Sequence, residues 1–209
     1  MITPLIRELW GPPGLVLLAA LLGAGGVFWA DLQKNAAEKQ VREKSDKIAA
    51  LNEQIAGLVT GGDSFCYFVI TSIDPSNTGR LLAINHGKFP LYEVAARIVD
   101  LQKFEAKKDN LTLQNLFADD INVQVGSIAA DLAGLQGSFP LGEGDRHDYN
   151  IFFSARNGLS TQLLRLRKIN GVWLQATAVQ RTEGKESKTV FEQIPPDFPK
   201  DAIDWEHPK

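Results

Sequence analysis

The stretch from Gly11 to Ala30, Gly-Pro-Pro-Gly-Leu-Val-Leu-Leu-Ala-Ala-Leu-Leu-Gly-Ala-Gly-Gly-Val-Phe-Trp-Ala, constrains this chain more than any other: it contains no charge. A helix rises 1.5 Å per residue, so about 20 apolar residues cross a hydrocarbon core about 30 Å thick. Pro12 and Pro13 are tolerated in a first turn, where those N–H groups lack partners. Trp10 and Trp29 stand at the two ends, at headgroup level. The run is therefore read as a transmembrane anchor within residues 1–30. The competing reading is a cleaved signal peptide, with Arg7 as its basic end and Gly23-Ala24-Gly25 as its cleavage site. It accounts less well for an apolar run that continues to Ala30.

One basic side chain, Arg7, precedes the run, and Lys34, Lys39, Arg42, Lys44 and Lys47 follow it. The positive-inside count favours a cytoplasmic domain, whereas a short N-terminal segment with an Arg also fits a signal anchor that exports it. From Asp31 to Leu58 the composition is Ala, Glu, Lys, Gln and Leu without proline, which favours helix. Residues 31–60 are thus read as a helical stalk. Ile48 and Ile55 occupy a positions and Leu51 and Leu58 d positions of two heptads, which makes 41–58 a candidate homodimer seam. The rival is a lone helix whose apolar stripe packs on its own domain. Gly61-Gly62 ends the helix.

Residues 61–194 alternate short β-branched and aromatic stretches with turn residues. Phe65–Ile73, Arg80–Asn85, Leu91–Leu101, Ile121–Ile128, Arg146–Arg156, Leu159–Lys168, Val172–Arg181 and Thr189–Ile194 are predicted strands. Leu111–Phe117 fits a helical turn or a further short strand. The expected fold class is all-β, an immunoglobulin-like β-sandwich of seven or eight strands, preceded by the long transmembrane-plus-stalk helix. Residues 195–209, rich in proline, form an irregular tail.

The two Asn-Gly pairs predict turns. At Asn157-Gly158 a two-residue loop pairing Arg156 with Leu159 sets apolar residues opposite one another. At Asn170-Gly171 the same loop would place Arg165 and Arg167 beside Leu174 and Ala176. A three-residue loop, 169–171, with a bulge avoids this. That register defines an outer sheet face carrying Phe152, Leu163, Arg165, Arg167, Trp173, Gln175 and Thr177. Arg167 would stack on Trp173. Phe152, Leu163, Arg165, Arg167 and Trp173 are the candidate binding residues for a protein partner, because Trp, Arg and Phe dominate binding hot spots.

Charge and motifs exclude several function classes. With a net charge of −3 and no basic stripe, nucleic acid is not an expected partner. Glu143, Asp145 and Asp148 are the weak candidates for a metal, oxygen donors in one loop, although Arg146 interrupts them and the spacing is not that of an EF-hand. Cys66 lies in the most apolar strand, and the three histidines are far apart in sequence, so no cofactor or catalytic set is implied. The stretch Thr60-Gly61-Gly62-Asp63-Ser64-Phe65-Cys66-Tyr67, with Pro90-Leu91-Tyr92-Glu93-Val94 after it, resembles uncharacterised bacterial membrane-anchored proteins with a C-terminal β-sandwich. The resemblance implies that architecture and assigns no site. The expected function is a single-pass, membrane-anchored, non-catalytic β-sandwich that binds a macromolecule. The competing classes are a membrane-tethered metal-dependent enzyme using the 143–148 loop and a structural envelope spacer.

Overall fold

The structure, a computed structural model, describes residues 12–112, 114–183, 186–199, 201, 203 and 205, with side chains from Leu15 on except 25, 27, 28, 30–32 and 183. The chain divides into two units, 1–54 and 55–209.

The first unit consists of helix α1, Pro12–Thr60, whose last turn belongs to the second. Its described apolar side chains are exposed: Leu15, Val16, Leu17, Leu18, Leu21 and Leu22, and further along Ile48 and Leu51. Among the described residues no helix is long and apolar enough to cross a membrane. Part of the 11–30 run lies outside the described residues, and the span expected there is not shown. α1 stops where glycine permits a reversal. Gly61 (φ 103°) and Gly62 (φ 52°) take left-handed conformations, and the Gly61 N–H closes the last turn on Gly57 O at 2.8 Å.

The second unit is a two-sheet antiparallel β-sandwich. Its nine strands, among the described residues, are β1 Phe65–Thr71, β2 Thr78–His86, β3 Leu91–Asp100, β4 Ile121–Ile128, β5 Ala133–Pro140, β6 Arg146–Ala155, β7 Gly158–Ile169, β8 Val172–Glu183 and β9 Glu186–Gln193. One sheet runs β1-β2-β5 and the other β4-β3-β6-β7-β8-β9. The strand count exceeds the expected seven or eight because of β5, Ala-Gly-Leu-Gln-Gly-Ser-Phe-Pro. With two glycines, a terminal proline and no β-branched residue it carries no strand signal of its own.

The main core lies between the sheets. Cys66, Phe68 and Ile70 of β1 meet Val94, Ala96 and Ile98 of β3, Tyr149, Ile151 and Phe153 of β6, and Leu164 and Leu166 of β7. The alternate residues of β1, Phe65 and Tyr67, form a second cluster with Val179 of β8 and Phe191 of β9. The large sheet thus packs on both faces of β1, which is why that strand is apolar throughout.

Both hairpins differ from expectation. At the first, Ala155 pairs with Gly158 and Tyr149 with Leu164, so the two-residue loop is Arg156-Asn157 and the register moves by two, leaving every side chain on its expected face. At the second, Ile169 pairs with Val172 around a two-residue loop, Asn170 (φ 50°) and Gly171 (φ 81°). Two left-handed residues make a tight hairpin turn whose twist suits the strands, and the expected three-residue loop and bulge are absent. This one-residue difference moves every side chain of β8 to the face opposite the expected one.

Candidate binding groove

Arg165 pairs across the strands with Ala176 and Arg167 with Leu174, on the face of the large sheet turned away from the core. Leu163, Arg146, Asp148, Asn150 and Phe152 share that face by alternation. Trp173, Gln175 and Thr177 do not: they lie opposite Lys168, Leu166 and Leu164, on the core side. The five candidate residues therefore divide. Phe152, Leu163, Arg165 and Arg167 are brought together, and Trp173 packs partly buried against the core and beside His147. The expected Arg167–Trp173 stacking is replaced by Lys168 over Trp173 and Arg167 over Phe198.

The arginines tolerate that face because it is covered and paired. Asp148 stands directly opposite Arg165 and is 1% exposed. Its Oδ2 accepts from Arg146 Nε at 2.8 Å and Nη2 at 2.6 Å, and its Oδ1 accepts from Arg167 Nη1 at 2.6 Å. Arg165 Nη1 donates to the carbonyls of Tyr149 and Leu164 at 3.0 and 3.2 Å. The C-terminal tail closes one side: Phe198 is buried above Arg167, and Trp205 lies over Arg165 while its Nε1 donates to Glu192. Asp148 is the partner these guanidinium groups need, because removing one member of a buried ion pair leaves the other uncompensated.

The other side of the face is roofed by a short helix, α2 (Leu101–Lys107), and by the loop before β4. Asp100 caps α2, accepting from the N–H groups of Gln102 and Lys103. Beneath this roof are two adjoining cavities. One, about 560 Å³, is lined by Leu101, Phe104, Arg146, Asp148 and Asn150. The other, about 310 Å³, is lined by Arg97, Val99, Phe104, Phe117, Asn150 and Phe152. They share Leu101, Phe104 and Asn150 and form one groove along β6. The Arg97 guanidinium lies between the rings of Phe117 and Phe152, at 5.2 and 4.7 Å, and is tied to Asp120 at 2.9 Å. Aromatic walls with a carboxylate-paired arginine at each end suit recognition of a mixed apolar and polar surface.

Of these residues the sequence marked Phe152 and the arginines of β7. Arg97, Phe104 and Phe117 were missed. Arg97 is one polar residue in an alternating strand, which marks a solvated face as readily as a site, and the α2 segment offers too few turns for a periodic signal. Arg146, which interrupts the acidic loop, is a partner of Asp148.

The metal candidates do not converge. Glu143 and Asp145 are exposed, Asp145 reaches toward Lys168 at 3.9 Å, and Asp148 is buried among arginines. No group of three such ligands occurs among the described residues. Cys66 and His86 point to opposite faces, since His86 pairs with Phe65 while Cys66 lies in the main core. Burial pushes the Cys66 thiol up to about 12, which removes its thiolate at neutral pH. Burial likewise raises the Tyr149 hydroxyl.

Comparison with protein-family models, with curated proteins and with solved structures gives no match.

Proposed function

We propose that this chain is a single-pass membrane protein whose β-sandwich binds a protein partner in the groove along β6 and carries out no chemistry of its own. The observation behind the reading is the groove itself: two adjoining cavities lined by Phe104, Phe117 and Phe152 and flanked by Arg97 and Arg146. The ionisable groups lining it are held in ion pairs, which suits a preformed recognition surface better than proton transfer.

Membrane anchoring through 11–30 rests on the uncharged run and on the exposure of its described leucines on all sides of the helix, which water does not favour. The basic residues after the run support a cytoplasmic domain. A reading of the sandwich as immunoglobulin-like is supported by its strand sets: β1-β2-β5 faces β3-β6-β7, as ABE faces CFG, with the fourth strand in the other sheet and two strands added. Tyr149, on the strand corresponding to F, donates to Leu141 O at 3.4 Å across the corner after β5, in the manner of a tyrosine corner.

The test combines fractionation and capture. The full chain is expected in the membrane fraction, released by detergent and not by carbonate, and deletion of 11–30 should make it soluble. A photo-crosslinking residue at Phe117 should capture one partner, and Phe152→Ser should reduce that capture at least about five-fold with the melting temperature within a few degrees of wild type. Recovery in the soluble fraction overturns the anchor. Capture unaffected by Phe152→Ser overturns the groove.

A further inference from the structure

The free edges of the two sheets are protected very differently. β1 is closed by side chains: Gln162 Oε1 accepts from the Phe68 N–H at 2.7 Å, Gln162 Nε2 donates to Phe68 O at 2.8 Å, and Gln175 Oε1 accepts from the Ile70 N–H at 2.9 Å. β9 carries Glu186, Lys188 and Glu192 along an exposed edge. β5 is interrupted by Gly137 (φ 124°), by a register shift against β2, and by Pro140. Charges, prolines and bulges are the usual guards against edge pairing.

β4 lacks these guards over its first half. It is an edge strand with no charge and no proline. Its bulge falls late, at Val125, which has no partner on β3 between Gln124 and Gly126 (φ 81°), so Ile121–Gln124 keep regular register with β3. Among the described residues, no side chain hydrogen-bonds to the backbone of 121–127. Asp131 is the one charge in residues 121–140, in a chain that is 22% charged.

We propose that β4 is a dimerisation edge, pairing antiparallel with β4 of a second copy about a two-fold axis at Val123. The strand is its own complement under that operation. Val123 meets its counterpart, Ile121 meets Val125 of the second copy, and Asn122 meets Gln124 of the second copy. Apolar residues lie against apolar ones on the side where Val123 and Val125 already pack on the core. Carboxamides lie against carboxamides on the exposed side, where each offers the other a donor and an acceptor. No like charges meet at any position. Antiparallel pairing of a strand with itself about one residue also brings matching outward N–H and C=O groups together, so the two large sheets become continuous. This self-complementarity favours a second copy over an unrelated peptide. The edge adjoins the groove at Arg97, which pairs with Asn122, but the inference rests on the sequence and register of β4 and not on the proposed function.

The test uses the full chain in detergent micelles, where Cys66, the single cysteine, is buried. Asn122→Cys and Gln124→Cys proteins, mixed and mildly oxidised, should give on the order of ten-fold more disulfide-linked dimer than either alone, because only the mixture sets the two cysteines directly opposite. The N122K/Q124K variant sets like charges opposite each other twice and should weaken dimerisation about ten-fold. The N122K/Q124E variant, altered at the same exposed positions, sets opposite charges together and should retain it, which also shows that these positions tolerate change. No excess cross-linking in the mixture, or a dimer indifferent to N122K/Q124K, overturns the proposal.

Discussion

His147 sits between two aromatic rings, stacked on Tyr149 at 6.2 Å and tilted against Trp173 at 5.5 Å, and is 2% exposed. Burial holds its imidazole below the ordinary value of 6.5, against a smaller opposing pull from the carboxylates of Asp100 and Asp148 and the Gly144 backbone. As pH falls below 6.5 the unfolded chain takes up a proton that the folded chain refuses. Its contribution to stability is therefore complete above that value and is lost as pH falls toward the lower folded value. His147→Phe keeps a ring in place and removes the titration. Urea midpoints at pH 7 and pH 5 should then differ less in the variant than in wild type; equal differences would show that another group carries the effect. The arginines of β7 teach a related lesson. Reading them as solvent-facing selected the wrong loop at Asn170-Gly171, because the residue that makes Arg165 acceptable beneath a cover, Asp148, lies on another strand. Alternation told which residues share a face, and not whether that face is covered.

At the scale of elements, strand edges divide what the sequence shows from what it hides. β1, β3, β4, β6, β7 and β8 were legible because β-branched and aromatic residues alternate between turn residues. β5 was not, since its place depends on β2 alone. The closure of β1 was hidden as well. Gln162 reads as one polar residue in an apolar strand, and its target, the Phe68 peptide, is 94 residues away. A buried N–H and C=O left unpaired cost about 1–3 kcal/mol each. Gln162→Met keeps the volume and removes both of these bonds and a third, from Nε2 to Thr177 Oγ1 at 2.7 Å, so it should destabilise the fold by about 2–5 kcal/mol. Gln175→Met removes one bond and should cost about a third to a half as much. Denaturant titrations of the two variants check the ratio, and a Gln162→Met midpoint equal to wild type would show that water or a shift of the strand replaces the amide.

At the scale of the molecule, the two apolar clusters and the ion pairs of the groove lie within the second unit, 55–209. The sequence located the end of the helix at Gly61-Gly62, because glycine is legible as a stop. Packing of the helix on its own domain stood there only as the rival to a stalk seam, and the contact itself was hidden because it depends on Phe89. A Cβ added at Gly57 would approach the Phe89 ring to 2.4 Å, so the ring lies flat on the helix backbone where only glycine leaves room. Arg156 Nη1 donates to Val59 O at 3.3 Å and Nη2 to Glu93 at 2.6 Å, fixing the same turn from the opposite side. A fragment of residues 55–209 contains these contacts and its own core, and it should unfold in one cooperative transition. A fragment of residues 61–209 uncovers Phe89 and frees Arg156, and should melt lower by roughly 2–8 °C, the shift expected for about 1–2 kcal/mol in a domain of this size. Gly57→Leu in the longer fragment should reproduce most of that loss by displacing the ring. Thermal melts followed by far-ultraviolet circular dichroism separate the outcomes. Equal melting temperatures for the two fragments would show that the last turn only lies against the sandwich, whereas a lower value for the shorter one makes the Gly57–Phe89 contact part of the domain's stability.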